Sequence, residues 1–214
     1  MKPTIDWDFP FREDNKDTRL AKAFFQKHDL KSVIRKSSSG HNHLRIEAEA
    51  SVLDTLALRA YLNDDLGRLR VDTARLFFNW GFNRLGEYKF KDGKINSVGE
   101  WELFTDGSQT EIHYIENRKQ ETFEIEWFLS PEVFRDSRNY FELLRLDEEI
   151  NMIYSFEETQ YDTIKTLITI KNATLLDTFV YSAILRDEKT HFRWKLVQEL
   201  ENSLKLPQSL YTHR

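Results

Sequence analysis

In the first third of the chain, apolar residues recur with two different periods, and the order in which these periods alternate limits the folds that the chain can adopt. Alternation with a period of two, which is typical of β-strands, is interrupted twice by apolar side chains at the 3.6-residue spacing of amphipathic helices. The pattern predicts a strand, a helix, two strands, a helix and a strand, at residues 4–9, 17–28, 32–36, 43–50, 51–65 and 69–73. A chain with this order folds as an α+β domain whose helices pack on one sheet.

The predicted order, β-α-β-β-α-β, is the split βαβ arrangement of ferredoxin-like and RNA-recognition-motif-like domains. We assign it to residues 1–78 and expect residues 79–214 to form an accessory half, rich in antiparallel strands and then helical. Two Asp-Gly turns in that half predict an antiparallel meander. No linker rich in Pro, Gly or Ser separates the halves, so we expect them to pack tightly. The features predicted in the second half are the turns at 92–93 and 106–107, a helix at 132–153, a strand at 162–172 and a closing helix at 187–205.

Composition excludes several classes of protein. The chain has no cysteine, which rules out disulfides, zinc ribbons and thiol catalysis. Its net charge of −5 disfavours a protein that coats nucleic acid, but allows a local basic surface. No apolar segment is long enough to span a membrane, and acidic residues interrupt the N-terminal segment where a secretory signal would be apolar. We therefore expect a cytoplasmic protein without a membrane partner.

Two carboxylates lie on one face of the first predicted strand. Asp6 and Asp8 are two residues apart, so both project away from the face that carries Ile5 and Trp7. Such a pair is stable when water or a divalent cation screens its repulsion, and oxygen ligands suit Mg²⁺ or Mn²⁺. Asp72 ends the last predicted strand, which this fold can bring close to the first.

The turn between the second and third predicted strands combines three serines, Gly40 and two histidines. Backbone N–H groups of a glycine turn, the Ser39 hydroxyl and the His43 side chain together can form a cradle for a phosphate. A metal site formed by His41 and His43, or a simple hairpin turn, are the alternatives that the residues leave open.

These three motifs resemble those of the archaeo-eukaryotic primase superfamily, which includes the primase-polymerases of plasmids and viruses. The family carries a hydrophobic-Asp-x-Asp strand, a Ser-Gly-x-x-His turn that enters a strand, and a hydrophobic-Asp at a later strand end. The corresponding segments here, in the same order, are Ile5-Asp6-Trp7-Asp8, Ser39-Gly40-His41-Asn42-His43-Leu44 and Val71-Asp72. The resemblance covers residues 4–75, about a third of the chain.

The resemblance implies template-directed nucleotidyl transfer, from nucleoside triphosphates onto single-stranded or primed DNA, in a replication or mobile-element setting. Two divalent metals would stabilise an in-line displacement. Replication proteins would be further partners. The catalytic and metal-binding residues implied are Asp6, Asp8 and Asp72, with Mg²⁺ or Mn²⁺ as the cofactor. The nucleotide-binding residues implied are Ser39, Gly40, His43 and Arg45.

Three other interpretations use the same region differently. A primase-like protein could have lost catalysis and bind nucleic acid or a protein partner. A rolling-circle replication endonuclease would hold one metal through His41 and His43 and attack DNA with Tyr61. A non-enzymatic sheet could bind single-stranded nucleic acid through aromatic and basic side chains. However, the alternation places Trp7 on the face opposite Asp6, which makes Trp7 a poor surface for stacking. The acidic pair Asp64-Asp65 is interpreted as capping, solvated or core residues.

Overall fold

The computed structural model describes residues 1–7, 12, 15–37, 40–77, 82, 88–91, 94–97, 99–129, 151–158, 164–184 and 189–206. Within this part of the chain, the structure is mixed α+β with five helices and eleven strands. The helices are α1 (Lys16–Lys27), α2 (Val52–Tyr61), α3 (Leu66–Phe77), α4 (Leu175–Ile184) and α5 (Lys189–Leu204). The strands are β1 (Thr4–Trp7), β2 (Ser32–Lys36), β3 (Asn42–Ile46), β4 (Glu49–Ala50), β5 (Tyr88–Lys91), β6 (Lys94–Ser97), β7 (Glu102–Thr105), β8 (Glu111–Ile112), β9 (Phe123–Leu129), β10 (Asn151–Glu158) and β11 (Ile164–Lys171).

A four-stranded antiparallel sheet in the order β1-β3-β2-β7 is the frame of the first half. The elements β1, α1, β2 and β3 follow the predicted order, and β3 lies between β1 and β2. The complete RNA-recognition-motif-like order is not confirmed, because the fourth strand is β7 and lies beside β2. β7 belongs to the second half of the chain, so the sheet combines both predicted parts.

The strand predicted at residues 69–73 is wrong, since these residues lie within α3. The Oδ1 atom of Asp65 accepts a hydrogen bond from the Arg68 N–H at 2.6 Å and thereby caps the helix. Leu69 and Thr73 are buried four residues apart, which is the spacing of one helix face. The short alternation of apolar residues in this segment was therefore part of a helical pattern.

The core lies between the sheet and helices α1 and α2. Ile5 and Trp7 are completely buried on the side of β1 that faces these helices, as the alternation predicts. The Trp7 Nε1–H donates to the Leu62 carbonyl oxygen at 2.7 Å, so the indole is satisfied within the core. Burial of each large apolar side chain stabilises the fold by about 1.5–3 kcal/mol. From the second half, Phe179 of α4 and Phe192 of α5 belong to the same hydrophobic cluster.

The second half only partly follows the predicted meander. β5 and β6 form a hairpin around residues 92–93, and the turn residues themselves lie outside the described part. The turn at 106–107 does not join a hairpin, because β7 pairs with β2 whereas β8 pairs in parallel with β4. The chain changes direction there because its loop binds the end of α1, where the Gln109 N–H donates to the Asp29 carbonyl oxygen at 2.9 Å.

The remaining elements of the second half include predicted and unpredicted ones. The strand predicted at 162–172 and the helix predicted at 187–205 correspond to β11 and α5. The helix predicted at 132–153 lies outside the described residues except for 151–153, which belong to β10. Helix α4, which was not predicted, is short and apolar on most of its surface, so its sequence shows no clear polar face. None of the described helices is both long and apolar enough to cross a lipid bilayer.

The cap of helix α1 lies two or three residues before the predicted one. The Asn15 side chain, rather than Asp17 or Thr18, accepts the hydrogen bond from the Asp17 N–H at 2.8 Å. The buried stripe of the helix includes Phe24 and Phe25. Asparagine is as good a cap as aspartate, so the sequence alone does not decide between them.

Candidate functional site

One side of the four-stranded sheet carries polar and charged side chains and points away from the helices of the core. We call it the polar face and define it by Thr4 and Asp6 of β1, His43 and Arg45 of β3, Val33 and Arg35 of β2, and Leu103 of β7. Residues directly opposite each other in antiparallel strands share a face. The register pairs Asp6 with His43 and His43 with Arg35, so these three side chains form one row across the sheet.

The Asp6 carboxylate and the His43 imidazole are adjacent in this row. The Asp6 Oδ1 atom lies 3.6 Å from the His43 Nε2 atom, and the side chains are 26% and 10% exposed. The backbone of Asp6 is held at the end of β1, because its N–H donates to the Asp64 Oδ1 atom at 2.5 Å and its carbonyl accepts from the Asp65 N–H at 3.1 Å. The fold thus brings together one residue from each of the first two predicted motifs.

Two arginines of the polar face lie over the ring of Trp101. The guanidinium carbon of Arg35 is 4.3 Å from the ring centroid, and that of Arg45 is 4.4 Å from it. Trp101 immediately precedes β7. Continuing the pairing of Val33 with Leu103 by two residues places Trp101 opposite Arg35. Such contacts attract a cation to the negative face of the ring and fix the guanidinium group.

Glu47 partly balances the positive charge of this region. The Arg45 Nε–H donates to the Glu47 Oε1 atom at 2.7 Å, and the Lys2 ammonium donates to the Glu47 Oε2 atom at 2.6 Å. Burial acts to raise the pKa of Glu47, but the hydrogen bonds from Lys2 and Arg45 outweigh it and lower that pKa. The carboxylate therefore stays ionised and holds Arg45 in place beside the Trp101 ring.

Gly40 lies in the hairpin turn between β2 and β3. Its φ angle of +82° is in the left-handed region that favours glycine. The turn is closed by hydrogen bonds from the Ser37 N–H to the His41 carbonyl at 2.8 Å and from the Gly40 N–H to the Ser37 carbonyl at 3.1 Å. The Gly40 N–H is thus used within the turn. Ser39 lies outside the described residues, and its role in binding phosphate stays a prediction.

Asp72 lies not at a strand end but in a group of four charged side chains that we call the buried network: Arg59, Asp64, Arg68 and Asp72. The Arg59 Nη1 and Nε atoms donate to Asp72 Oδ2 at 2.9 Å and to Asp64 Oδ2 at 2.6 Å. Arg68 contributes a second cation, 3.2 Å from Asp64 Oδ1 and 3.8 Å from Asp72 Oδ2. The two carboxylates are completely buried. A metal at Asp72 would have to displace an arginine, so the implied ligand role of Asp72 gains no support from this geometry.

Asp64 is the member of the network that the sequence interpretation undervalued. Its burial raises its pKa, and the positive charges of Arg59 and Arg68 oppose that rise. Asp65, in contrast, caps α3 as that interpretation expected. The acidic doublet in the sequence gave no signal that one of its members would be fully buried.

The described residues contain no group of three or more His, Asp or Glu side chains that could together hold a metal ion. Asp6 has a partly exposed carboxylate, which is the chemistry that Mg²⁺ or Mn²⁺ prefers. Asp8, its predicted companion, lies outside the described residues. One described carboxylate does not make a metal site, so the binding of Mg²⁺ or Mn²⁺ by Asp6 and Asp8 stays a prediction.

Two aromatic residues singled out in the sequence lie on the core side of the sheet. Trp7 is completely buried, as the alternation predicts, and is not a stacking surface. The Tyr61 ring lies 5.1 Å from the Phe24 ring, and burial, followed by the negative charge of Glu201, raises the Tyr61 pKa. His43 points to the opposite side of the sheet, so the structure does not bring Tyr61 to the histidine as the rolling-circle endonuclease interpretation requires.

Trp101 is the residue of the site that sequence analysis missed. Its signal was the alternation in the segment Trp101–Thr105, which predicts a strand with Trp101 and Leu103 on one face. Nothing in the sequence showed that this strand joins the sheet of the first half. Comparison of the chain with models of protein families, with curated proteins and with solved structures found no match.

Proposed function

We propose that the polar face binds the triphosphate of a nucleotide and that the chain transfers nucleotides to a primer or template strand, as a primase-like protein. The observation that carries this proposal is the position of Asp6 and His43, directly opposite each other on neighbouring strands and 3.6 Å apart. A carboxylate and an imidazole in this arrangement can hold a cation and a phosphate group side by side.

Each residue of the row has a distinct role in the proposal. Asp6, with Asp8, would hold Mg²⁺ or Mn²⁺, which supplies the charge neutralisation that nucleotidyl transfer requires. His43 donates a hydrogen bond to a phosphate oxygen next to that cation. Arg35 is opposite His43 and adds a fixed positive charge, which strengthens the binding of a polyanion.

A second candidate function is binding of nucleotides or nucleic acid without transfer. The observation that favours it is the buried network, where the completely buried Asp72 carboxylate is paired with Arg59 and Arg68. In this case the polar face keeps its affinity for phosphate, but the set of three carboxylates that two-metal catalysis needs is incomplete.

The test measures two quantities on the same proteins: affinity for a nucleoside triphosphate with Mg²⁺ or Mn²⁺, and incorporation of labelled nucleotides on single-stranded and primed DNA. The variants are Asp6→Asn and His43→Ala. The matched controls are Asp106→Asn and His113→Ala, which alter exposed residues outside the polar face. We expect His43→Ala to weaken nucleotide binding about tenfold, since a hydrogen bond to a charged group such as a phosphate contributes about 1.5–3 kcal/mol.

Three outcomes separate the candidates. Loss of binding and incorporation in both variants, with unchanged controls, supports nucleotidyl transfer at this site. Nucleotide binding that depends on His43, without incorporation by the wild-type protein, supports the second candidate. Nucleotide affinity that is absent, or equal in wild type and His43→Ala, contradicts nucleotidyl transfer and nucleotide binding at this site, and leaves only nucleic-acid binding from the second candidate.

A further inference from the structure

The polar face continues past the proposed nucleotide site to the other edge of the sheet. Neighbouring strands lie about 4.8 Å apart, so the three steps from β1 to β7 cover about 14 Å. The far part of this span carries Trp101 and Leu103, whose side chains are mainly apolar and whose single polar group is the indole N–H of Trp101. A ligand that occupies the whole face must therefore be longer than a triphosphate and must offer apolar as well as anionic groups.

From this arrangement we infer that Arg35, Arg45, Trp101 and Leu103 form a subsite for single-stranded nucleic acid. The phosphodiester backbone would contact the partly exposed Arg45 guanidinium group, beside which the buried Arg35 adds a second positive charge, and an unpaired base would contact the apolar edge. This inference rests on the proposed function in one respect, namely that the strand would lie beside the nucleotide bound at Asp6 and His43. Arg35 is shared with the proposed nucleotide site, whereas the evidence from Arg45, Trp101 and Leu103 is separate from Asp6 and His43.

The first line of evidence is the fixed orientation of the two arginines. Arg35 is only 5% exposed, although arginine is almost never buried without a specific partner. Its guanidinium group and that of Arg45 both lie within 4.4 Å of the Trp101 ring centroid. A guanidinium held in one orientation loses less entropy when it binds phosphate, and its planar fork matches two phosphate oxygens. Trp101 is thus a positioning residue for both.

The second line of evidence is the exposed apolar edge next to these cations. Leu103 is 62% exposed and is paired with Val33, in the row of the sheet next to that of Arg35. Bases of a single strand present apolar faces that stack on rings, guanidinium planes and apolar side chains. Paired bases hide those faces inside the duplex, so this combination favours a single strand over double-stranded DNA.

The experiment measures binding of a fluorescent oligothymidylate to the full chain by anisotropy, at low and moderate salt. The variants are Arg45→Gln, which leaves Arg35 and the core untouched, and Trp101→Leu. The matched controls are Arg118→Gln and Trp194→Leu, which alter a half-exposed arginine and an exposed tryptophan in other parts of the chain. Thermal melting of every variant verifies that it is folded.

We expect each variant to bind the oligonucleotide about tenfold more weakly than wild type, in line with 1–3 kcal/mol for a stacked or charged contact. Loss of one phosphate contact also reduces the slope of log affinity against log salt by about 0.7 for Arg45→Gln. Trp101→Phe, which keeps a ring under the guanidinium groups, recovers most of the lost affinity. Both controls bind as wild type does.

The design separates failure of this inference from failure of the proposed function. If folded Arg45→Gln and Trp101→Leu bind the oligonucleotide as wild type does, or if wild type does not bind it, the strand subsite is wrong. If the variants weaken the binding of a free nucleoside triphosphate as much as the binding of the oligonucleotide, these residues belong to the nucleotide site. In that case the inference is also wrong. If nucleotide binding does not depend on His43 but oligonucleotide binding depends on Trp101, the proposed function fails and the strand subsite stands.

Discussion

The polar face and the buried network contain the same types of residue in opposite environments. On the polar face, the Asp6 side chain is 26% exposed and that of Arg45 is 32% exposed. In the network, Asp64 and Asp72 are completely buried and are bound by arginines. The two regions are neighbours, because the Asp6 N–H donates to Asp64. The partly exposed Asp6 and Arg45 side chains can contact a ligand, whereas the buried network stabilises the structure that holds Asp6.

The difference matters for the interpretation of the three primase-like motifs. Asp6 and Asp72 are equivalent in a motif that names only residue types. In the fold, the Asp6 carboxylate is partly exposed and lies beside the His43 imidazole, while the Asp72 carboxylate is completely buried with Arg59 at 2.9 Å. Removal of one partner from a buried ion pair leaves an uncompensated charge in a low dielectric, which makes such networks sensitive to mutation.

The largest expected effect comes from Arg59→Gln. This change removes the cation between two fully buried carboxylates and should lower the free energy of unfolding by about 3–5 kcal/mol. The matched change on the polar face is Arg45→Gln, which should lower it by no more than about 1 kcal/mol because the pair with Glu47 is partly exposed. Urea denaturation followed by circular dichroism measures both. Equal losses in the two variants would contradict the division between a structural and a binding region.

A smaller effect is expected from Gly107→Ala, which tests how β7 is fixed to the sheet. A Cβ atom at this position would overlap the backbone of Asp29 and Leu30, so the loop after β7 must move away from α1. Overpacking of this kind costs about 1–3 kcal/mol. The strained loop would also displace the end of the polar face that carries Leu103, and oligonucleotide binding should fall with stability.

The control for this test is Gly67→Ala, in the first turn of α3. An added Cβ there would meet only the Asp65 side chain, at the ordinary distance of 3.4 Å. Alanine is a better helix former than glycine by about 1 kcal/mol, so this variant should be at least as stable as wild type. If Gly107→Ala is as stable as Gly67→Ala, the loop is not what holds β7 in place.

The parts of the fold that could be predicted from the sequence are those in which apolar residues recur with a clear period over a short segment. Residues 32–36 form β2 with the predicted bounds, and the alternation around Asp6 correctly placed Ile5 and Trp7 in the core. The segment 69–73 was misjudged, because five residues are too few to distinguish alternation from part of a helix. Local patterns also carry no information about which distant strand completes a sheet.

The same limit explains what was and was not predicted of the candidate site. Asp6 and His43 were each named from a motif, but the register that places them directly opposite each other on β1 and β3 comes from the structure. Trp101 joins them through β7, which is more than fifty residues further along the chain. Asp64 was interpreted only as a capping, solvated or core residue and Arg59 was given no role, since burial of a charge is decided by tertiary packing and not by local sequence.

The smallest expected effect is a change in stability with pH. It is tested by comparing His28, on the core side of the sheet, with His113, on the surface. Burial, followed by the positive charge of Lys27, lowers the pKa of His28 below its ordinary value, and its ring packs against Phe24 and Tyr114. The unfolded chain then binds a proton more readily than the folded protein, so stability falls as the pH drops below about 6.5. Tyr114 does not titrate in this range, because burial, followed by the charge of Asp54, raises its pKa to about 12.

The measurement for this prediction is the difference in unfolding free energy between pH 7.5 and 5.5, about one unit either side of the ordinary histidine pKa. His28→Phe keeps an aromatic ring and removes the titrating group, so this difference should become smaller than in wild type. His113→Phe, at a position 73% exposed, should leave it unchanged. Other titrating groups, including Asp64, are common to all three proteins, so their contributions to the stability difference cancel in the comparison. An undiminished difference in His28→Phe would mean that the acid sensitivity arises elsewhere, and the buried network with Asp64 would then be the region to test.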